Sequence, residues 1–129
     1  MDHDIWFYRA KQDWITIQAI LAAPEKSWSY IAFHSQQAAE KCIKGFLSFK
    51  DKHPPRVHDL RELIAISRSF DPSLTELEND CKFLSQFASN ARYEIFENEY
   101  DEAAAREAIA AAKRICSAMR ERIPYDIPY

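Results

Sequence analysis

A single glycine, Gly45, is the sharpest limit this 129-residue chain places on its own chemistry. Phosphate-cradling loops and dinucleotide turns need several glycines so that backbone can approach the ligand closely. Two-residue hairpins favour glycine as well. Gly45 sits inside a helical pattern, so such loops are excluded and an all-helical chain is expected. Cysteine is scarce too: Cys42, Cys81 and Cys116 are odd in number and fall on apolar helical faces. They read as reduced core thiols of a cytoplasmic protein. No Cys or His pair has ligand spacing, so neither a metal nor a cofactor is expected. No apolar run approaches the ~18–20 residues of a membrane span. The start, Met1-Asp2-His3-Asp4, lacks a signal-peptide pattern. Net charge is -3 with a pI near 5.8, so nucleic acid would have to be met by a local patch.

What is present is ample core. Hydrophobic residues make up 47% and aromatics 13%, enough to exclude disorder and to support one domain. Apolar recurrence at steps of three and four predicts five helices, over 4–22, 27–50, 58–69, 72–96 and 101–122. The first carries Trp6, Ala10, Trp14, Ile17 and Leu21 and stops at Pro24. The second opens at a Ser27 N-cap, and Pro54-Pro55 closes the loop after it. The third buries Leu60, Leu63, Ile64 and Ser67. Asp71-Pro72 starts the fourth, whose stripe is Leu74, Leu77, Cys81, Leu84, Ala88, Ala91 and Ile95. The fifth buries Ala105, Ala108, Ala112, Ile115, Cys116 and Met119, with an acidic start and a basic end. Short connections predict an antiparallel up-down bundle of four to five helices over 1–123. The Pro/Tyr segment 124–129 reads as a non-helical tail.

The second helix is the most informative stretch. Ile31, Ser35, Ala38, Cys42, Phe46 and Phe49 form one apolar stripe, and Phe33, Ile43 and Leu47 a second. A helix apolar on two sides is either central to a bundle or covered by a second subunit. Only the wedge of His34, Gln37, Lys41 and Lys44 is consistently polar. Two further segments border apolar stripes with polar groups: His58-Asp59-Leu60, and Asn90-Ala91-Arg92-Tyr93-Glu94. Arg92 falls about 40° from Ala88 on the wheel, at the edge of the core stripe. There it can snorkel, pair with a carboxylate or reach a phosphate.

Each of these groups has a plainer reading. His34 can be a helix-surface residue or one bonded within the bundle. Gln37 and Glu40 can belong to an inter-helix network with Arg92. His58-Asp59 can be simply a helix start. The Lys50, Lys52, His53 and Arg56 loop can be solvated rather than a phosphate edge. Trp6, Trp14 and Trp28 can be packing rather than a stacking platform.

Phe33-His34-Ser35-Gln36-Gln37-Ala38-Ala39-Glu40-Lys41, His58-Asp59-Leu60 and Ala91-Arg92-Tyr93, in this order, resemble the HEPN family (higher eukaryotes and prokaryotes nucleotide-binding) from Trp6 to about Met119. The resemblance implies a helical bundle that often forms homodimers and is often encoded with a minimal nucleotidyltransferase. Some members are metal-independent ribonucleases and toxins, as in toxin-antitoxin pairs. Their motif is an Arg, a polar residue, then a His after four to six intervening positions. Arg92 matches the Arg. Tyr93 follows it, and Glu97, Asn98 and Glu99 stand where the His would fall. Imidazole is the group suited to activate a ribose hydroxyl near neutral pH, so the nuclease activity is not carried over. The expectation is a non-catalytic nucleotide- or RNA-associated module. In it Arg92 and Lys41 contact phosphate and Gln37 and His34 contact base or ribose, with Glu40, His58, Asp59 and Tyr93 in support. Two alternatives stand beside it. One is a ribonuclease using His34 or His58 as a non-standard base. The other is a purely structural partner of a nucleotidyltransferase.

Overall fold

The computed structural model describes residues 2–51, 53–88 and 99–124. Among them are five α-helices and no strand: α1 (Asp2–Ala22), α2 (Trp28–Phe49), α3 (Leu60–Arg68), α4 (Glu78–Ser85) and α5 (Glu102–Glu121). A 3-10 helix, Pro72–Leu77, leads into α4. The all-α bundle is as expected.

Helix starts are set by side chains. Ser27 accepts from the Tyr30 amide, Asp59 from Arg61, Asp71 from Ser73 and Asp101 from Ala104, each satisfying an orphan N–H. At the far end of α2 the chain needs a left-handed residue, and Asp51 takes φ 58°.

Helix direction follows from which residues meet. The ion pairs Asp13–His34 and Asp13–Lys41, with Phe7 against Gly45, set α1 antiparallel to α2. Arg68 with Glu78, and Ser85 with Asp59, set α3 antiparallel to α4. Arg114 with Asp80, and Tyr100 before α5 with Gln86 just after α4, set α4 antiparallel to α5. α5 runs in the same sense as α2. The Tyr100 amide donates to Ser29 at one end, and the Cys116 thiol reaches the Ala38 carbonyl further along. This is possible because the chain after α2 folds back. Gln36 donates to the His58 carbonyl, so α3 begins level with the middle of α2.

α2 is the centre. It packs mainly on α1 and α5 and also touches α3 and α4. Both of its apolar stripes are covered within one chain; Ile31, Ala38, Ile43, Phe46 and Leu47 have no exposure. Of the two explanations for a doubly apolar helix, the bundle centre is the one that holds. Among the described residues, three of the five exposed large apolar side chains lie on α1, where Ile5, Tyr8 and Ile15 are each about half exposed; Tyr30 and Phe70 are the others.

Two helices depart from the pattern read in the sequence. The inner stripe of α1 is His3, Phe7, Ala10, Asp13 and Ile17, not the Trp6–Trp14 stripe; both tryptophans are half-buried. Two polar residues in the inward register hid the true period. The single helix expected over 72–96 is also broken. Ser73 and Thr75 hydroxyls bond back to Asp71 and to the Pro72 carbonyl, which favours the tighter turn. At the other end Ser85 and Gln86 side chains donate to the Cys81 and Phe83 carbonyls, and α4 stops at Ser85. Leu74, Leu77, Cys81 and Leu84 are buried as expected. Ala91, Ile95 and most of the tail lie outside the described residues. The three cysteines are free and buried, and burial pushes the Cys81 thiol up to about 12.

Asp71 ties the end of α5 to the 3-10 start, accepting from Arg122 Nε at 2.6 Å. Its hydrogen bond from Ser73, then that from Arg122, lowers its pKa from 3.8 to about 2. A depressed carboxylate stabilises the fold above its ordinary pKa, and the contribution is lost as pH falls from about 4 toward 2. Asp71→Asn should therefore make the acid limb of a stability–pH curve measured by urea unfolding less steep than that of wild type between about pH 4 and 2. An unchanged acid limb contradicts this.

Candidate functional site

The polar wedge of α2 is organised by two buried carboxylates. The first is Asp13 of α1, whose side chain is 7% exposed. Asp13 Oδ1 lies 2.9 Å from His34 Nδ1, and Asp13 Oδ2 accepts from Lys41 Nζ at 2.5 Å. His34 and Lys41 are each about a quarter exposed. An ionised carboxylate can only accept, so His34 Nδ1 carries the proton; in the neutral ring Nε2 is then an acceptor. His34 also lines a shallow, largely apolar groove with Ile15, Ala19, Ile20 and Tyr30.

The second carboxylate is Glu40. Its Oε2 accepts from Lys44 Nζ at 3.2 Å and from His58 Nδ1 at 2.9 Å, while its Oε1 is buried with no hydrogen-bond partner. Lys44, expected on the polar wedge with His34, is instead buried between Glu40 and the Trp6 ring, 5.4 Å from the ring centroid. Its burial is a correction to the sequence reading. The long lysine stem turns toward α1, where the Glu40 carboxylate of its own helix and the Trp6 ring face of α1 replace water. Gln37 donates to Gln36 at 2.7 Å, and Gln36, fully buried, donates to the His58 carbonyl at 3.2 Å. Together Gln36, Glu40 and His58 clamp the start of α3 onto α2.

Asp59 is the N-cap of α3 and also holds Arg61, accepting from Nε at 3.2 Å and Nη2 at 3.1 Å. The Arg61 bond lowers the Asp59 pKa, and the same bond raises that of Arg61. The plain reading of His58-Asp59 as a helix start is therefore met, with a second task for His58 on Glu40.

Asn90, Ala91, Arg92, Tyr93, Glu97 and Asn98 lie outside the described residues, as does Lys52. The structure thus brings His34, Lys41 and Gln37 onto one side of α2, and joins Glu40 to His58. It does not describe Arg92 or Tyr93. Asp13 and Gln36 were missed in the sequence. Asp13 was legible as the one acid in the α1 inward register, three after Ala10 and four before Ile17. Trp28 carries the Arg106 guanidinium over its ring and Trp6 carries Arg9, at 5.5 and 5.0 Å, so both act in packing. Among the described residues no three His, Cys, Asp or Glu side chains converge as metal ligands, and no helix is long and apolar enough to cross a membrane.

Comparison with known proteins gives one finding: the family model described as the HEPN domain matches residues 3–122, nearly the whole chain. No curated protein and no solved structure matches. The match accords with a nucleotide- or RNA-associated helical module.

Proposed function

From the premise that the chain belongs to the HEPN domain family, we propose that it is a non-catalytic nucleotide- or RNA-binding module of the cytoplasm. It works as a homodimer beside a minimal nucleotidyltransferase. The observation that carries the binding reading is the Asp13 hub. One buried carboxylate fixes an imidazole and an ammonium side by side at the margin of a groove. His34 then offers Nε2, and Lys41 keeps donors beyond the one spent on Asp13, which suits a base edge or a ribose. Gln37 sits one turn from both. Arg92 is proposed as the phosphate contact, with Tyr93 beside it. Glu97, Asn98 and Glu99 in place of the motif His support the non-catalytic reading. The exposed α1 residues Ile5, Tyr8 and Ile15 supply an apolar face for a second copy. Sedimentation returning a monomer at high concentration removes that part.

Isothermal titration with nucleotides and short RNA tests the binding. Wild type should give saturable heat, and His34→Ala, Lys41→Ala and Arg92→Ala should each lower affinity by about tenfold or more, the worth of one charge-assisted contact. No heat, or unchanged binding in all three variants, refutes the proposal. One observation favours the ribonuclease as second reading: a carboxylate on Nδ1 is how a general base is oriented. RNA cleavage in chelator that disappears in His34→Ala would select it.

A further inference from the structure

α3 and α4 run antiparallel with a cavity of about 250 Å³ along their outer seam. Arg61, Ile64 and Arg68 line it from α3, and Glu78, Asn79 and Lys82 from α4. Positions 61, 64 and 68 are three and four apart and share one helix face; 78 and 82 are one turn apart. Ile64, 2% exposed, is the apolar floor.

Three of the six side chains are cationic, in a chain whose net charge is -3. Two are held in place. Arg61 spends Nε and Nη2 on Asp59, and Arg68 spends Nη1 on Glu78. Each guanidinium has five N–H donors, so both retain free ones. Lys82 has no ion-pair partner among the described residues. The Asn79 amide adds a donor and an acceptor.

We propose that this seam binds a terminal phosphate group, that of a free mononucleotide or of a 5′-phosphorylated RNA end. The N–H donors that the two guanidiniums keep beyond their carboxylate partners, with an ammonium across from them, suit an anion with three outward oxygens and nearly two charges. A carboxylate has only two oxygens and is satisfied by a single fork. Ile64 and Asn79 then face the attached sugar or base. Arg61 and Arg68 have the Asp59 and Glu78 carboxylates as counter-charges, so Lys82 is the cation left over at the seam, whereas at the Asp13 hub the one ammonium, Lys41, is already matched by Asp13. The seam goes beyond the binding site proposed above and does not depend on it.

Titration of the 15N-labelled chain with inorganic phosphate, AMP, and short RNA with and without a 5′-phosphate tests it. The amides of Arg61 and Lys82 and the Asn79 side chain should shift saturably with phosphate and AMP. RNA should move them only when it carries the terminal phosphate. If AMP does so and phosphorylated RNA does not, the source is the free nucleotide; if both do, the site also takes strand ends. Lys82→Glu and Arg61→Gln, both at exposed positions, should each weaken AMP binding by about tenfold, and added salt should weaken it further. Absence of shifts at the seam, equal shifts from both RNAs, or full affinity in both variants overturns the proposal. Shifts confined to His34 and Lys41 overturn the seam while leaving the function proposed above intact.

Discussion

Glu40→Ala should lower the unfolding free energy by about 3–5 kcal/mol, the usual loss when one partner of a buried ion pair is removed. The two side chains of the pair are only 4% and 5% exposed. Without Glu40, the Lys44 ammonium keeps the Trp6 ring face but no carboxylate, and water cannot reach it without opening the α1–α2 contact. His58 also loses its side-chain anchor, leaving the start of α3 held to α2 by the Gln36 bond to the His58 carbonyl. The double variant Glu40→Leu/Lys44→Met should lose less than Glu40→Ala alone, because apolar groups replace both charges rather than stranding one. Urea unfolding followed by circular dichroism reads both. A loss below about 1 kcal/mol for Glu40→Ala would mean that the pair is solvated and the buried network is wrong.

Gly45→Ala should also destabilise, against its helix propensity. In an exposed helix the change gains about 1 kcal/mol. Here an added Cβ would lie 2.6 Å from Phe7 Cε2 and 2.9 Å from Cζ, closer than carbon atoms pack. Phe7 has no exposure and cannot swing aside freely. Overpacking of this kind costs about 1–3 kcal/mol, and for a rigid, fully buried ring it falls toward the upper end, so the net effect is a loss of up to about 2 kcal/mol. Phe7→Leu/Gly45→Ala should be less damaging than the two single losses summed, since the shorter side chain vacates the space. A stabilised Gly45→Ala would show that the ring has room to shift.

These two positions also show what the sequence could and could not reveal. Gly45 was read only as a reason to exclude phosphate loops. Nothing in its neighbours says that it faces Phe7 of another helix, because contact between helices is not encoded in the period of either one. The same holds for Lys44. Its charge placed it on the polar wedge; Glu40 is its neighbour one turn earlier on α2, but only the position of α1 puts the Trp6 ring over it and buries the pair. The apolar stripes of α2, α3 and α5 were legible because long runs of three-and-four spacing leave little freedom. That of α1 was obscured because His3 and Asp13 stand where apolar residues would. The break at Leu77 was obscured because the hydroxyls of Ser73 and Thr75 compete with helix locally while the apolar spacing continues across it. Of the candidate site, His34, Gln37 and Lys41 were readable as a polar strip on an otherwise apolar helix. Asp13 was readable only as an acid in the inward register of α1; that it holds two of them was not, since they lie more than twenty residues away.

Long-range 15N–1H NMR of the His34 ring tests the hub most directly. The account predicts that the neutral His34 ring carries its proton on Nδ1, with a slowly exchanging signal that is lost in Asp13→Ala. A proton on Nε2, or a His34 spectrum unaltered by Asp13→Ala, would contradict it.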